Sequence, residues 1–197
     1  MEWSTMKVKT KFNKIKKWEI QSEEVEYETP IFTLLKRDCR SANQDKQHGF
    51  YIIKAPDWIN IVPVTSNGEI VLVKQYRHGI HELTWEIPGG AVDSDDGDPM
   101  VAAKRELAEE TGFTSDHWES LGSVSSNPAI FTNECHFYIA WDCELTSDQN
   151  LDPFEEIEVK TVPVKEFLQQ VSEGEIHHSL IVAAVAKLLL QHPELMS

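Results

Sequence analysis

From Pro99 to Gly112 the sequence specifies one helix and loads it with charge. Asp98 is a favoured N-cap residue, Pro99 suits the first helical position, where a missing N–H is no loss, and Gly112 supplies the left-handed residue that ends a helix. The spacing predicts a helix over 99–111. Met100, Ala103 and Leu107 recur at helical intervals and share the face that meets a core. Glu106, Glu109 and Glu110 share another face by the same intervals. Like charges so spaced cost about 0.2–0.5 kcal/mol per pair, and the helix macrodipole disfavours anions at this end. Such a turn calls for a counterion. Lys104 and Arg105 supply part of it, and a divalent cation supplies more. Oxygen donors at this density suit Mg²⁺ or Mn²⁺ rather than zinc. Magnesium typically takes one or two carboxylates, keeps water, and binds a substrate phosphate, where it polarises a phosphoryl oxygen.

Around this helix, strand and helix signals alternate. Residues 18–36 read as two strands broken near Thr29-Pro30, residues 38–49 as a loop or hairpin tip, and 50–54 as a further strand. The clearest hairpin joins 58–64 to 70–76 through Ser66-Asn67-Gly68. A strand over 83–87 ends at the Pro88-Gly89-Gly90 turn, followed by an acidic loop. Strands are expected at 118–124, 135–145 and 156–163, and helices at 164–171 and 179–190. The fold class is therefore α+β or α/β, with helices packed on a mixed sheet. Cys135 and Cys143 share a strand face by parity and read as core packing. His177-His178, at a helix start, reads as a capping or surface pair.

Charge narrows the partners. The chain carries 33 acidic against 18 basic residues. Residues 1–17 hold Lys7, Lys9, Lys11, Lys14, Lys16 and Lys17 against Glu2 alone, so they form a basic arm and the remainder is more acidic still. A body of that sign repels nucleic acid. No apolar run is long enough to span a bilayer and no signal segment opens the chain, so a cytoplasmic location without membrane attachment is expected. The three cysteines have neither disulfide nor zinc spacing. No Gly-x-Ser-x-Gly or P-loop pattern is present.

Gly89-Gly90, an acidic loop, and then Arg105-Glu106-Leu107-Ala108-Glu109-Glu110-Thr111-Gly112-Phe113 resemble the Nudix box, a loop–helix–loop signature. The second half matches at every fixed position. In the first half Arg105 lies one residue farther from Gly90 than the pattern has it, and Gly97 stands where the family has Glu, with Asp96 or Asp98 as the stand-in. Gln75-Tyr76-Arg77, Trp85 through Gly90, Ser126-Asn127-Pro128-Ala129 and the acidic 151–158 stretch resemble the branch that cleaves ADP-ribose and nucleoside diphosphate sugars.

The resemblance implies an α/β/α sandwich with a mixed sheet over 55–197, preceded by a small N-terminal antiparallel sheet over 18–54 of the kind that forms a homodimer. It implies Mg²⁺-dependent (or Mn²⁺-dependent) hydrolysis of a diphosphate bond in a small nucleoside diphosphate sugar, giving a nucleoside monophosphate and a sugar phosphate. By position, Glu106 and Glu110 match the main metal ligands, Glu109 is the third, and the carbonyl of Gly89 or Gly90 completes the set. Arg105 orients these carboxylates. Glu86 faces the metals or the substrate, and Arg77 contacts the diphosphate or terminal ribose, as its planar fork suits phosphate. Asn127 and Phe131 fall on the substrate side. The general base comes from the loop near 155, as Glu155 ahead of Glu156. Two other functions are weighed against this one: a nucleotide sensor with this fold and no turnover, and an enzyme for capped or triphosphate RNA ends, which the acidic body opposes.

Overall fold

The computed structural model describes residues 15–43 and 45–196. All but the last three residues of the basic arm lie outside them. The chain divides into two units, with the boundary between Ile53 and Lys54.

In the first unit, strands β1 (Glu19–Glu28), β2 (Thr33–Arg40) and β3 (Gln47–Lys54) form one sheet in that order, and β1 pairs antiparallel with β2. The break between β1 and β2 is the expected one. Thr29 Oγ1 accepts from the N–H of Phe32 at 2.9 Å, a turn closed by a side chain ahead of Pro30. The connection between β2 and β3 is shorter than expected, because pairing carries both strands into the polar stretch. Every residue of β1 is exposed, including Ile20, Val25 and Tyr27.

The second unit is built on β4 (Trp58–Thr65), β5 (Glu69–Arg77), β6 (Glu82–Glu86), β7 (Gly89–Ala91), helix α1 (Pro99–Thr111), β8 (Phe113–Thr114), β9 (His117–Ser125), β10 (Glu134–Leu145), β11 (Glu158–Pro163), and helices α2 (Val164–Glu173) and α3 (Ser179–Gln191). A short 3₁₀ helix, Pro193–Met196, follows. The sheet runs β11-β5-β4-β10-β8, with β6 on β5, β7 on β4 and β9 on β10. β4 and β10 are parallel, while the other pairs are antiparallel, so the sheet is mixed.

Both faces of β4 are covered. Val62 and Val64 join a core with Phe137, Ile139, Phe167 of α2 and Ile181, Ala184 and Leu188 of α3. Ile59 and Ile61 face a second core with Ala102, Ala103 and Leu107 of α1. The result is the expected three-layer sandwich. Burying one such aliphatic or aromatic side chain stabilises by about 1.5–3 kcal/mol. Helix α1 has the expected bounds: Asp98 Oδ1 accepts from the N–H of Met100 at 2.8 Å, and Gly112 has φ 73°.

Three expectations fail locally. Cys135 and Cys143 are both buried but lie in opposite cores. The β10–β4 register shifts between Ala140 and Cys143, where Asp142 has φ 52°, and this bulge turns Cys143 to the α1 side. The Pro88-Gly89-Gly90 turn is also more than a turn. Gly89 and Gly90 pair with Asn60 and Ile59 as strand β7. The last sheet strand starts at Glu158 rather than at the expected 156, where its pairing with β5 begins, so Glu155 and Glu156 remain in the preceding loop. Among the described residues no helix is long and apolar enough to cross a membrane.

Candidate active site

β7 lies between β4 and α1 and brings the glycine pair to the glutamate turn. A Cβ on Gly89 would stand 2.3 Å from the Ile59 carbonyl oxygen, and one on Gly90 would stand 2.4 Å from Glu106 Oε1. Only glycine lets the strand come this close to the carboxylates. The Gly89 N–H donates to Glu110 Oε2 at 3.0 Å. Glu110 is 3% exposed. Burial pushes its carboxyl up to about 8, against the pull of the Gly89 N–H, and the charges of Glu106 and Glu155 push the same way. Burial also raises Glu106, with Arg105 opposing it. This is a desolvated pair of carboxylates repelled by a third, Glu155.

Arg105 ties the turn to the acidic loop. Its Nη1 donates to Glu106 Oε1 at 2.9 Å and to Glu109 Oε2 at 3.1 Å. Its Nε and Nη2 donate to the two oxygens of Asp96 at 3.0 and 2.8 Å. The Asp96 carboxyl is held below its usual range by this fork. Of the two aspartates open as stand-ins near Gly97, Asp96 meets Arg105 and Asp98 caps α1. The inserted residue therefore leaves a loop that still returns a carboxylate to the arginine.

Arg77 and Glu86 come together on the adjacent strands β5 and β6. Arg77 Nε and Nη2 donate to Glu86 Oε1 and Oε2 at 2.8 and 2.7 Å. Thr84 Oγ1 donates to the same carboxylate. Glu86 is buried, yet its carboxyl sits below the usual range, because the bonds from Arg77 and Thr84 outweigh desolvation. Arg77 Nη1 lies outside this pair. Arg77 lines two cavities. One, of about 650 Å³, runs from Gln75–Gly79 to the loop bearing Phe154, Glu155 and Glu156. The other, of about 320 Å³, runs from Trp58 and Asn60 past β7 to His178.

The Glu155 loop is fastened to the glutamate helix. A helix leaves its last carbonyls without partners. Here Asn150 N donates to the Glu109 carbonyl at 2.9 Å, and Gln149 Nε2 donates to the Glu110 carbonyl at 2.6 Å and to Ile157 O at 3.3 Å. One amide thus holds the loop's start, its end and the helix terminus together. Glu155 Oε2 accepts from the Asp152 N–H at 3.1 Å.

Asn127 and Phe131 lie in the connection between β9 and β10. Asn127 closes its own turn, its carbonyl accepting from Ile130 N and Phe131 N. Phe131 packs on Trp58, ring centroids 5.8 Å apart, and neither Asn127 nor Phe131 lines the two cavities beside Arg77. His178, expected from the sequence to be a capping or surface residue, is neither. It precedes α3 but makes no side-chain cap, and it lines the smaller cavity. A histidine before an apolar helix carries no local signal, since its neighbours Trp58 and Arg77 are distant in sequence.

Among the described residues no three carboxylate, histidine or cysteine side chains already converge as a metal-binding group. Glu106 and Glu109 are turned onto Arg105 instead. The donor set nonetheless fits a hard divalent cation: two desolvated carboxylate groups lie beside a glycine strand, with the nearest cation already shared.

A model of the NUDIX domain matches residues 56–184. The methanol dehydrogenase activator of Bacillus methanolicus is 34% identical over 143 residues, covering 71% of this chain and 76% of that protein. The ADP-ribose pyrophosphatase of Bacillus subtilis (strain 168) is 28% identical over 141 residues, with the same coverage. A GDP-mannose pyrophosphatase of Klebsiella pneumoniae is 32% identical over 115 residues, 54% of this chain and 57% of its own. A crystal structure described as an ADP compounds hydrolase superposes with a TM-score of 0.80 at 20% identity, covering 93% of this chain and 98% of that one. That last likeness concerns the fold.

Proposed function

Because this chain belongs to the Nudix family and is an enzyme of its pyrophosphatase kind, we propose that it hydrolyses the diphosphate bond of a nucleoside diphosphate sugar, ADP-ribose or a GDP- or ADP-sugar, to a nucleoside monophosphate and a sugar phosphate. The observation that carries this reading is the buried Glu110 carboxyl beside Glu106, held by the Gly89 N–H and facing the Glu155 loop. Glu106 and Glu110, with Glu109 and the Gly90 carbonyl, would hold Mg²⁺ or Mn²⁺. When bound, that cation polarises a phosphoryl oxygen and makes a water acidic. Glu155 takes the proton of the attacking water at a carboxylate oxygen, on a loop whose position Gln149 fixes from the metal helix. Arg105 keeps Glu106 and Glu109 oriented. Arg77 anchors on Glu86 and offers Nη1 to a phosphate oxygen.

The test is a panel of ADP-ribose, ADP-glucose, GDP-mannose and capped RNA, each incubated with Mg²⁺ and resolved by chromatography. Monophosphate and sugar phosphate in equal amounts from a nucleotide sugar is the expected result. Tight binding without product across the panel would establish the sensor reading instead.

We also infer a homodimer formed through residues 18–54. Apolar side chains of β1 and β3, among them Ile20, Val25, Tyr27 and Tyr51, stand exposed on this small sheet, and several large apolar side chains exposed on one small sheet are what an interaction site presents. Sedimentation should give twice the chain mass of 22.5 kDa. The Val25→Lys/Tyr27→Lys variant should sediment as a monomer, and a wild-type monomer at micromolar concentration rejects the inference.

A further inference from the structure

Residues 146–157 join β10 to β11 and carry Glu155. From 146 to 156 only Leu151 is even half-buried, so apolar packing does not hold this segment. Its hydrogen bonds run to one place, the C-terminal end of α1. Thr146 N donates to the Gly112 carbonyl and Asn150 N to the Glu109 carbonyl, each at 2.9 Å. Gln149 Nε2 donates to the Glu110 carbonyl at 2.6 Å, and the same nitrogen reaches the far end of the segment at Ile157 O, 3.3 Å away.

Beyond Gln149 the segment closes on itself. Glu155 N donates to the Asp152 carbonyl at 3.0 Å, and Asp152 N donates to Glu155 Oε2 at 3.1 Å. This ring of two bonds sets the direction of the Glu155 carboxylate and leaves Oε1 outside it. Among the described residues the ring has no hydrogen bond of its own to α1, so its place relative to Glu106 and Glu110 is set by the stem at Gln149 and Asn150. The charge of Glu155 reaches both of those glutamates.

Asn150 contributes a main-chain N–H, which any residue but proline supplies. Gln149 contributes its side chain, and a carboxamide nitrogen carries two protons, one for each carbonyl it meets. Gln149 lines neither cavity beside Arg77. It lines a separate hollow of about 370 Å³ with Thr111, Phe113 and Lys160. It can act on the reaction only through the groups it holds.

We propose that Gln149 is the positioning residue of the general base: its carboxamide sets where Glu155 stands relative to the glutamates of α1, and so governs the hydrolytic step without touching substrate. The assignment deepens the hydrolase reading above and rests on it. A misplacement of about 1 Å costs about 10²-fold in rate, and a general base is itself worth about 10²–10⁴.

Gln149→Met keeps the side chain's length and removes its donor, at an exposed residue where the variant should fold. With Mg²⁺ and the best nucleotide sugar of the panel, its kcat should fall about thirtyfold to a hundredfold while KM stays within about twofold. Glu155→Gln should lose at least as much. The double variant should match Glu155→Gln within about threefold, because a residue that acts through the base then has nothing left to position. In metal-free protein, hydrogen exchange at the N–H groups of Asn150, Asp152 and Glu155 should be about tenfold faster in Gln149→Met, with Ile139 of β10 unchanged. Gln149→Ala should behave alike, and it decides the matter if Gln149→Met does not fold. A kcat equal to that of wild type, a loss carried by KM, losses that multiply in the double variant, or unchanged exchange over 150–155 each overturns the proposal. Failure of the reading beneath it shows separately, as a wild type without product or a Glu155→Gln variant as fast as wild type, and the proposal falls with it.

Discussion

Glu110→Gln is expected to lower kcat roughly a thousandfold, the scale on which losing one fixed charge or donor aimed at a reacting centre acts, while making the metal-free protein more stable. The two effects share one cause. Glu110 is almost wholly buried and its carboxyl is pushed up to about 8 from an ordinary 4.5. The folded state therefore holds a proton that the unfolded chain has lost. Its stabilising contribution is full below pH 4.5 and is lost as pH rises through about 8. At pH 7 the forfeited stability is on the order of 3 kcal/mol. Glutamine keeps the shape and still accepts from the Gly89 N–H, but it has no proton to lose. In chelator, wild-type Tm should fall between pH 4.5 and 8, with a shallower fall in Glu110→Gln, so that the variant melts higher at pH 8. Adding Mg²⁺ at pH 8 should raise the wild-type Tm and leave the variant nearly where it was. A variant that melts below wild type in chelator at pH 8, or that responds to Mg²⁺ as wild type does, removes Glu110 from the metal site.

The same helix shows what a sequence makes legible. Asp98, Pro99 and Gly112 act within a few residues of one another, so the bounds of α1 follow from local chemistry alone. The Asn67-Gly68 hairpin and the alternation of Ile59, Ile61, Val62 and Val64 are equally local. The face of Cys143 is not, because a single bulged residue at Asp142 reverses every parity count beyond it. Asp96 and Asp98 could not be separated from sequence, since both lie near the expected position and only the folded loop shows which one Arg105 grips. His178 reads from sequence as a capping or surface residue for a like reason. What surrounds it is brought there by β4, β5 and β7. Elements set by nearest neighbours can be read off the chain, whereas pairings closed across the sheet require the fold.

Arg77 and Glu86 illustrate such a pairing and carry the largest expected loss of stability. Glu86 is 1% exposed, and two of its hydrogen bonds come from one guanidinium. Arg77→Ala leaves that carboxylate buried with Thr84 as its remaining side-chain donor. Removing one partner of a buried pair costs about 3–5 kcal/mol. The Arg77 side chain is 39% exposed, so entering water relieves part of this and the lower end is expected. The pH dependence should change sign. In wild type the Glu86 carboxyl is held down, so its contribution is present above pH 4.5 and is lost as acid reaches its lowered pKa. Without Arg77, desolvation dominates and raises the carboxyl, so stability is lost as pH rises instead. Glu86→Gln in the same background removes the charge that has become costly. The double variant should therefore melt above Arg77→Ala, and the four-member cycle should show a coupling of about 1–3 kcal/mol. Its activity should not return, because Arg77 Nη1 is still missing from the substrate side. Urea unfolding of the wild type, both single variants and the double variant at pH 5 and pH 8 measures the cycle. Additive losses, or an Arg77→Ala variant as stable as wild type at pH 8, would show that Glu86 does not depend on Arg77 for its charge.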